Sequence, residues 1–141
     1  MKITRFEDLD CWQEARRLTK MVYDITIDTK LKNDLRLSVQ IQSAAVSVMA
    51  NIAEGFVRKS NKEFIQFLFI GMSSAAEVQS HLYVALDQGY ISQKKFNEIY
   101  EQANKTSKLI SGFIKYLKEN EKSFKQNKPY KPNQPDQPNQ P

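Results

Sequence analysis

Proline is missing from the first 128 residues of this 141-residue chain, glycine occurs four times, and cysteine, tryptophan and histidine occur once each. A proline-free stretch of that length with so little glycine is the composition of a helical chain. The single cysteine, Cys11, excludes an intramolecular disulfide framework and a cysteine-rich zinc site, in keeping with a reducing compartment. One histidine, His81, cannot supply the paired Glu-x-x-His motifs of a di-iron bundle. The densest apolar run, FIQFLFIGM, is far shorter than a bilayer span, and the start, MKITRFEDLD, turns acidic before any run of signal-peptide length. Neither a Gly-rich phosphate loop nor a Gly-x-Ser-x-Gly elbow is present. The expectation is a soluble cytoplasmic protein with no membrane partner, no cofactor, no metal and no enzymatic activity.

What the chain does carry is unevenly placed. Residues 1 to 104 hold 13 basic and 13 acidic side chains, so the net charge of +5 belongs to residues 105 to 141. All five prolines fall at positions 129, 132, 135, 138 and 141. Proline every third residue matches polyproline II, which has three residues per turn and buries no core. The expected division is a folded unit over residues 1–122 and a basic, proline-rich flexible tail over 123–141, whose P-x-x-P spacing could also suit an aromatic groove.

Four helix-period segments fill the folded unit. The first, about 8 to 28, carries Cys11, Ala15, Leu18, Val22 and Ile25 on one face, widened by Trp12. A short polar link, 29 to 32, precedes Asn33 or Asp34 as an N-cap. The second segment, about 34 to 57, has Leu37, Ile41, Ala44, Ala45, Val48 and Ile52 on one stripe and Leu35, Val39, Val46, Met49 and Ala53 on another. Gly55 and the stretch Arg58 to Asn61 interrupt the pattern, and Ser60-x-x-Glu63 has capping-box spacing for a third helix over about 61 to 88. That helix carries Phe64, Leu68, Gly71, Ala75, Val78, Leu82 and Leu86, with a second row of Ile65, Phe69, Met72, Ala76 and Tyr83. Gly89 suits a C-terminal αL cap and Ser92 an N-cap for the fourth helix, about 93 to 122, whose core face is Phe96, Ile99, Ala103, Ile110, Phe113, Ile114 and Leu117.

Matched helices joined by short links make antiparallel neighbours, so the expected fold is all-α: an up-down-up-down four-helix bundle. One stripe per helix suffices for a bundle, yet the second and third helices have two. Self-association through the surplus follows, with Val39, Val46, Met49, Ile65, Phe69, Met72, Ala76 and Tyr83 at the subunit contact; the alternative is a wide core angle within one subunit.

The pattern Phe6-x-x-Leu9-x-x-Trp12-Gln13-x-Ala15, the block from Gln40 through Ala44-Ala45-Val46-Ser47 to Asn51-Ile52-Ala53-Glu54-Gly55, and Arg58-x-Ser60-x-Lys62-Glu63-Phe64 resemble a known family. It is the bacterial four-helix-bundle family first associated with intervening sequences in 23S ribosomal RNA, and the accessory variability proteins of diversity-generating retroelements are similar to it. The resemblance covers about residues 6 to 120. It implies a bundle that assembles as a ring-shaped pentamer, has no known enzymatic activity, and partners RNA, DNA, a reverse transcriptase or another protein. This chain departs from the pattern at Gln42, Ser43 and Met72, where members usually carry arginine, and at Met49, where proline is usual. The lost guanidinium groups are those that would hold phosphates at that surface.

Three further constellations carry chemistry. His81 has Glu77 four residues before it, which suits a surface or interface histidine; Cys11, on an apolar stripe, suits a buried thiol. Asn51, Glu54 and Arg58 are polar residues in or just beyond an apolar helix, where unsatisfied groups cost about 1 to 3 kcal/mol, so a structural polar network is expected. On the fourth helix Lys105, Lys108, Lys115, Lys118, Lys122 and Lys125 fall within an arc of about 160°. They form a basic stripe for nucleic-acid contact, with Tyr100 and Tyr116 as possible base-stacking neighbours. The alternatives are an ordinary solvated helix face and a protein adaptor that touches no nucleic acid.

Overall fold

A computed structural model describes residues 3–120. It has four α-helices: α1 (Asp10–Asp28), α2 (Leu35–Phe56), α3 (Asn61–Asp87) and α4 (Gln93–Lys118). Among the described residues the regular structure is entirely helical. Neighbours around the bundle are α1 with α2, α2 with α3, α3 with α4, and α4 with α1. Direction is fixed by contacts that run oppositely along paired helices. Gly55 meets Phe64 while Ser47 meets Ser74; Tyr83 meets Phe96 while Phe69 meets Lys118. This is the expected antiparallel four-helix bundle.

The predicted punctuation works as side-chain chemistry demands. Asp34 accepts from the Leu37 N–H at 3.0 Å, Ser60 from Glu63 N–H at 3.2 Å and Ser92 from Lys95 N–H at 3.1 Å, each satisfying an orphan donor of a first turn. Gly89 has φ +73°, with Gly89 N–H bonded to Leu86 O and Tyr90 N–H to Ala85 O, the paired closure of a Schellman end.

Two expectations change. The first helix begins at Asp10 rather than residue 8, because Phe6–Asp8 form a separate 3₁₀ turn, and this turn sets the Phe6 ring edge-on to Trp12 at 5.1 Å. The link after α1 is not simply polar: Lys30–Asn33 form a second 3₁₀ turn whose Leu31 is fully buried. Eclipsed three-residue spacing turns one apolar side chain inward while its lysine neighbours stay in water. The four core stripes meet as expected, with Leu18, Ile41, Val48, Ile52, Leu68, Leu82, Ile110 and Phe113 all sealed from solvent. Lys122, Lys125 and the proline-rich segment lie outside the described residues.

Candidate functional site

The bundle's candidate functional features lie on its outside. On α2, Leu35, Val39, Val46, Ala53 and Val57 recur four, seven, seven and four residues apart, with Gln42 and Met49 in the gaps. That is the 3.5-residue repeat of a coiled-coil seam, and the five fall within about 40° of arc at 3.6 residues per turn. The seam lies roughly opposite the core residues Ile41, Val48 and Ile52, so it faces away from its own bundle. Leu35 is 74% exposed, Val39 58%, Val46 41% and Val57 67%. Met49 is half-buried against the core.

Tyr23 and Ile27 of α1, also exposed, flank this seam. Their side of α1 is the one tied to α2: Thr19 donates to Ala45 O at 3.2 Å, and Gln42 Nε2 donates to Thr26 Oγ1 at 2.8 Å. Sequence reasoning missed Tyr23 and Ile27 and did not place Leu35 or Val57 at the contact. Extending the seven-residue repeat of α2 in both directions would have found the latter two.

The second row of α3 faces elsewhere, along the edge shared with α4. Ile65 and Met72 pack partly against the core and Ala76 is exposed. Phe69, 46% exposed, lies 5.4 Å beneath the Lys118 ammonium. Tyr83, 50% exposed, tilts on Phe96 at 4.8 Å and stands edge-on to Tyr100 at 5.9 Å. Tyr100 itself stacks on Phe96, and Tyr116 is 1% exposed and stacks on Phe113. Tyr116 is therefore a core residue rather than a base-stacking platform; burial also pushes its phenol up.

The lysines of α4 do not share one environment. Lys105 approaches Glu14 of α1 at 3.6 Å, and Lys118 sits on Phe69 of α3, so the two ends of the row lean toward opposite neighbours while Lys108 and Lys115 are exposed between them. Glu14, nearly buried, is the centre of an α1–α4 clasp. Gln102 Nε2 donates to its Oε1 at 2.9 Å and Arg17 Nη1 to its Oε2 at 2.8 Å. Burial raises its pKa, but Gln102, Arg17 and Lys105 together outweigh that and hold the carboxyl below the ordinary glutamate value.

Asn51 satisfies itself locally: its Nδ2 donates to Ser47 O at 2.8 Å and to Ser47 Oγ at 3.0 Å, and Ser47 Oγ pairs with Ser74 Oγ of α3 at 2.8 Å. Glu54 is exposed, and the Arg58 guanidinium lies 4.6 Å over the Phe67 ring. The polar link across α2 and α3 thus runs through two serines that sequence reasoning did not single out.

Cys11 is buried, and burial pushes its thiol up to about 12, far from a reactive thiolate. His81 Nε2 pairs with Glu77 Oε2 at 3.2 Å, one turn away on α3. Among the described residues no group of three His, Cys, Asp or Glu could hold a metal ion, and no helix is long and apolar enough to cross a membrane. A concavity of about 780 Å³ between the α1–α2 and α3–α4 links is lined by residues including Lys30, Lys32, Tyr90 and Lys95.

Comparison with known proteins places this architecture. The chain is similar to a crystal structure of a protein of unknown function from the S23 ribosomal protein family of Bacteroides thetaiotaomicron, with a TM-score of 0.65. The identity is 22%, over 74% of this chain and 98% of that one, a likeness of fold. No curated protein matches the chain. The family model for the 23S rRNA-intervening sequence protein matches residues 7–112, from the turn before α1 well into α4, and the chain belongs to that family.

Proposed function

We propose that this protein is a non-catalytic assembly module: copies associate through apolar outer faces, and the assembly presents basic edges to a nucleic acid or nucleoprotein. The observation that carries the reading is the α2 seam, a row of exposed aliphatic side chains at coiled-coil spacing on a helix whose opposite side already fills a core. The other apolar surface, Phe69, Ala76 and Tyr83, lies on the α3–α4 edge. Two different patches on one subunit suit head-to-tail contacts, which close into a ring when the rotation between copies permits.

A non-catalytic role draws support from where the reactive groups are spent. The thiol is locked in the core of α1, and the imidazole is paired on α3. The family's name supplies the nucleic-acid context, and Lys108 and Lys115 supply exposed positive charge on α4.

Light scattering tests the assembly. The expected mass is a multiple of the 16.4 kDa chain, and Val39→Lys with Val46→Lys should reduce it to a single chain while the helical circular-dichroism signal stays unchanged. A wild-type protein that remains one chain at high concentration would overturn the reading.

A further inference from the structure

The fold lays an uncharged track along the outside of α3. Between Glu63 and Glu77 the helix has no charged side chain, and Phe69, Ser73, Ala76, Ser80 and Tyr83 recur at steps of four, three, four and three. All five are exposed, so small side chains separate an aromatic ring at each end. The track starts where the chain leaves the bundle: the Lys118 ammonium, at the end of α4, lies 5.4 Å over the Phe69 ring. At 1.5 Å per residue it runs about 21 Å to Tyr83.

Three rings meet at its far end. Tyr83 tilts on Phe96 at 4.8 Å and stands edge-on to Tyr100 at 5.9 Å, while Tyr100 stacks on Phe96 at 5.4 Å. Gln79 Nε2 donates to Tyr100 O at 3.3 Å and to Asn104 Oδ1 at 2.9 Å, which holds α4 against this part of α3. Glu101 is exposed, and its charge joins the Tyr83 phenol and burial in pushing the Tyr100 phenol up. Exposed aromatic rings beside a carboxylate suit a proline-rich ligand that also carries cations.

We propose that the C-terminal segment of this same chain turns back at Asn120, follows the track and docks Pro129 and Pro132 on the rings of Tyr83 and Tyr100. Its length fits. Nine residues separate Asn120 from Pro129, and at the polyproline II rise they cover about 28 Å, enough to pass the track and reach the rings. Lys128 and Lys131 each precede one of these prolines and lie three residues apart, so they share an edge of the same extended helix and bring cations to Glu101. Because the segment is tethered, its effective concentration at the track is of about millimolar order, so even a site of millimolar affinity is about half filled. Ala76 and Tyr83 also belong to the subunit contact proposed above, so a docked segment and a neighbouring copy compete for one edge.

The test uses the full chain carrying Val39→Lys and Val46→Lys, so that the outcome does not depend on whether copies associate; the assembly reading stands or falls separately by scattering mass. A nitroxide is attached at Gln134→Cys, while Cys11, buried with its thiol pushed up to about 12, stays unlabelled. In NMR spectra of the isotope-labelled chain, the nitroxide should broaden the amides of Tyr83, Phe96 and Tyr100 far more than those of Leu35 and Gln42 on α2. Pro129→Ala with Pro132→Ala leaves every bundle residue in place. Tenfold weaker docking takes a half-filled site to about one-tenth filled, so the broadening should fall about fivefold in that variant. Broadening that is spread evenly over the bundle, centred elsewhere or unchanged in the proline variant would overturn the inference. Equal broadening in a mixture of spin-labelled and isotope-labelled copies would also overturn it, by assigning the docked segment to a neighbouring molecule.

Discussion

At the level of single residues, Gly55 shows how one missing methyl group sets the approach of two helices. It lies inside α2, buried, and a Cβ there would come within 2.7 Å of Phe64 Cδ1 and 2.9 Å of Phe67 Cβ. Gly89 is different: space around it is open, and its φ of +73° is what favours glycine. Gly55→Ala is expected to cost about 1 to 3 kcal/mol through overpacking, read as a lower urea midpoint with an unchanged m-value. A midpoint equal to wild type would mean that α2 and α3 separate at no cost. Sequence periodicity detected both glycines but saw Gly55 as an interruption, because the contact that explains it comes from α3. Leu31 was hidden for a similar reason: flanked by two lysines, it shows no helical period and is buried only because a 3₁₀ turn redirects it.

Among the helices, the clasp between α1 and α4 has its own acid response. Glu14 is held below the ordinary glutamate value, about 4.3, despite burial, by Gln102, Arg17 and Lys105. A carboxyl whose folded pKa is depressed stabilises the fold above its unfolded pKa, and that contribution is lost as pH falls through the folded value. Asp10, one turn earlier, is shifted upward by burial and by the charge of Glu14, with Lys105 opposing. Glu14→Gln should therefore lower stability at neutral pH and narrow its gap from wild type as pH drops below about 4. Urea titrations at several pH values check this, and a gap that widens in acid would contradict the assignment. The helices themselves, their caps at Asp34, Ser60 and Ser92, and the four core stripes were legible in the sequence, since period and capping chemistry are local. The clasp was not: Glu14 and Gln102 are far apart in the chain, and nothing local marks either one as a partner.

Over the whole molecule, the sequence revealed a surplus of apolar surface but not its layout. The rows on α2 and α3 read as equivalent from their spacing. In three dimensions one faces away from the bundle, while the other follows the α3–α4 edge under Tyr83 and Lys118. The charge excess was equally visible in composition, whereas the tie between the start of α3 and the end of α4 depends on the bond from Asn61 to the Asn120 carbonyl. Separate placement of the two apolar patches has a practical outcome. If copies join head to tail as proposed, the patches can be disabled one at a time, and a copy carrying Val39→Lys and Val46→Lys would keep its other side as an acceptor. Mixed with unaltered protein, such a copy should act as a terminator, docking once and blocking further growth. A substoichiometric dose should then poison a preparation out of proportion to its amount, leaving short open oligomers that native mass spectrometry would resolve.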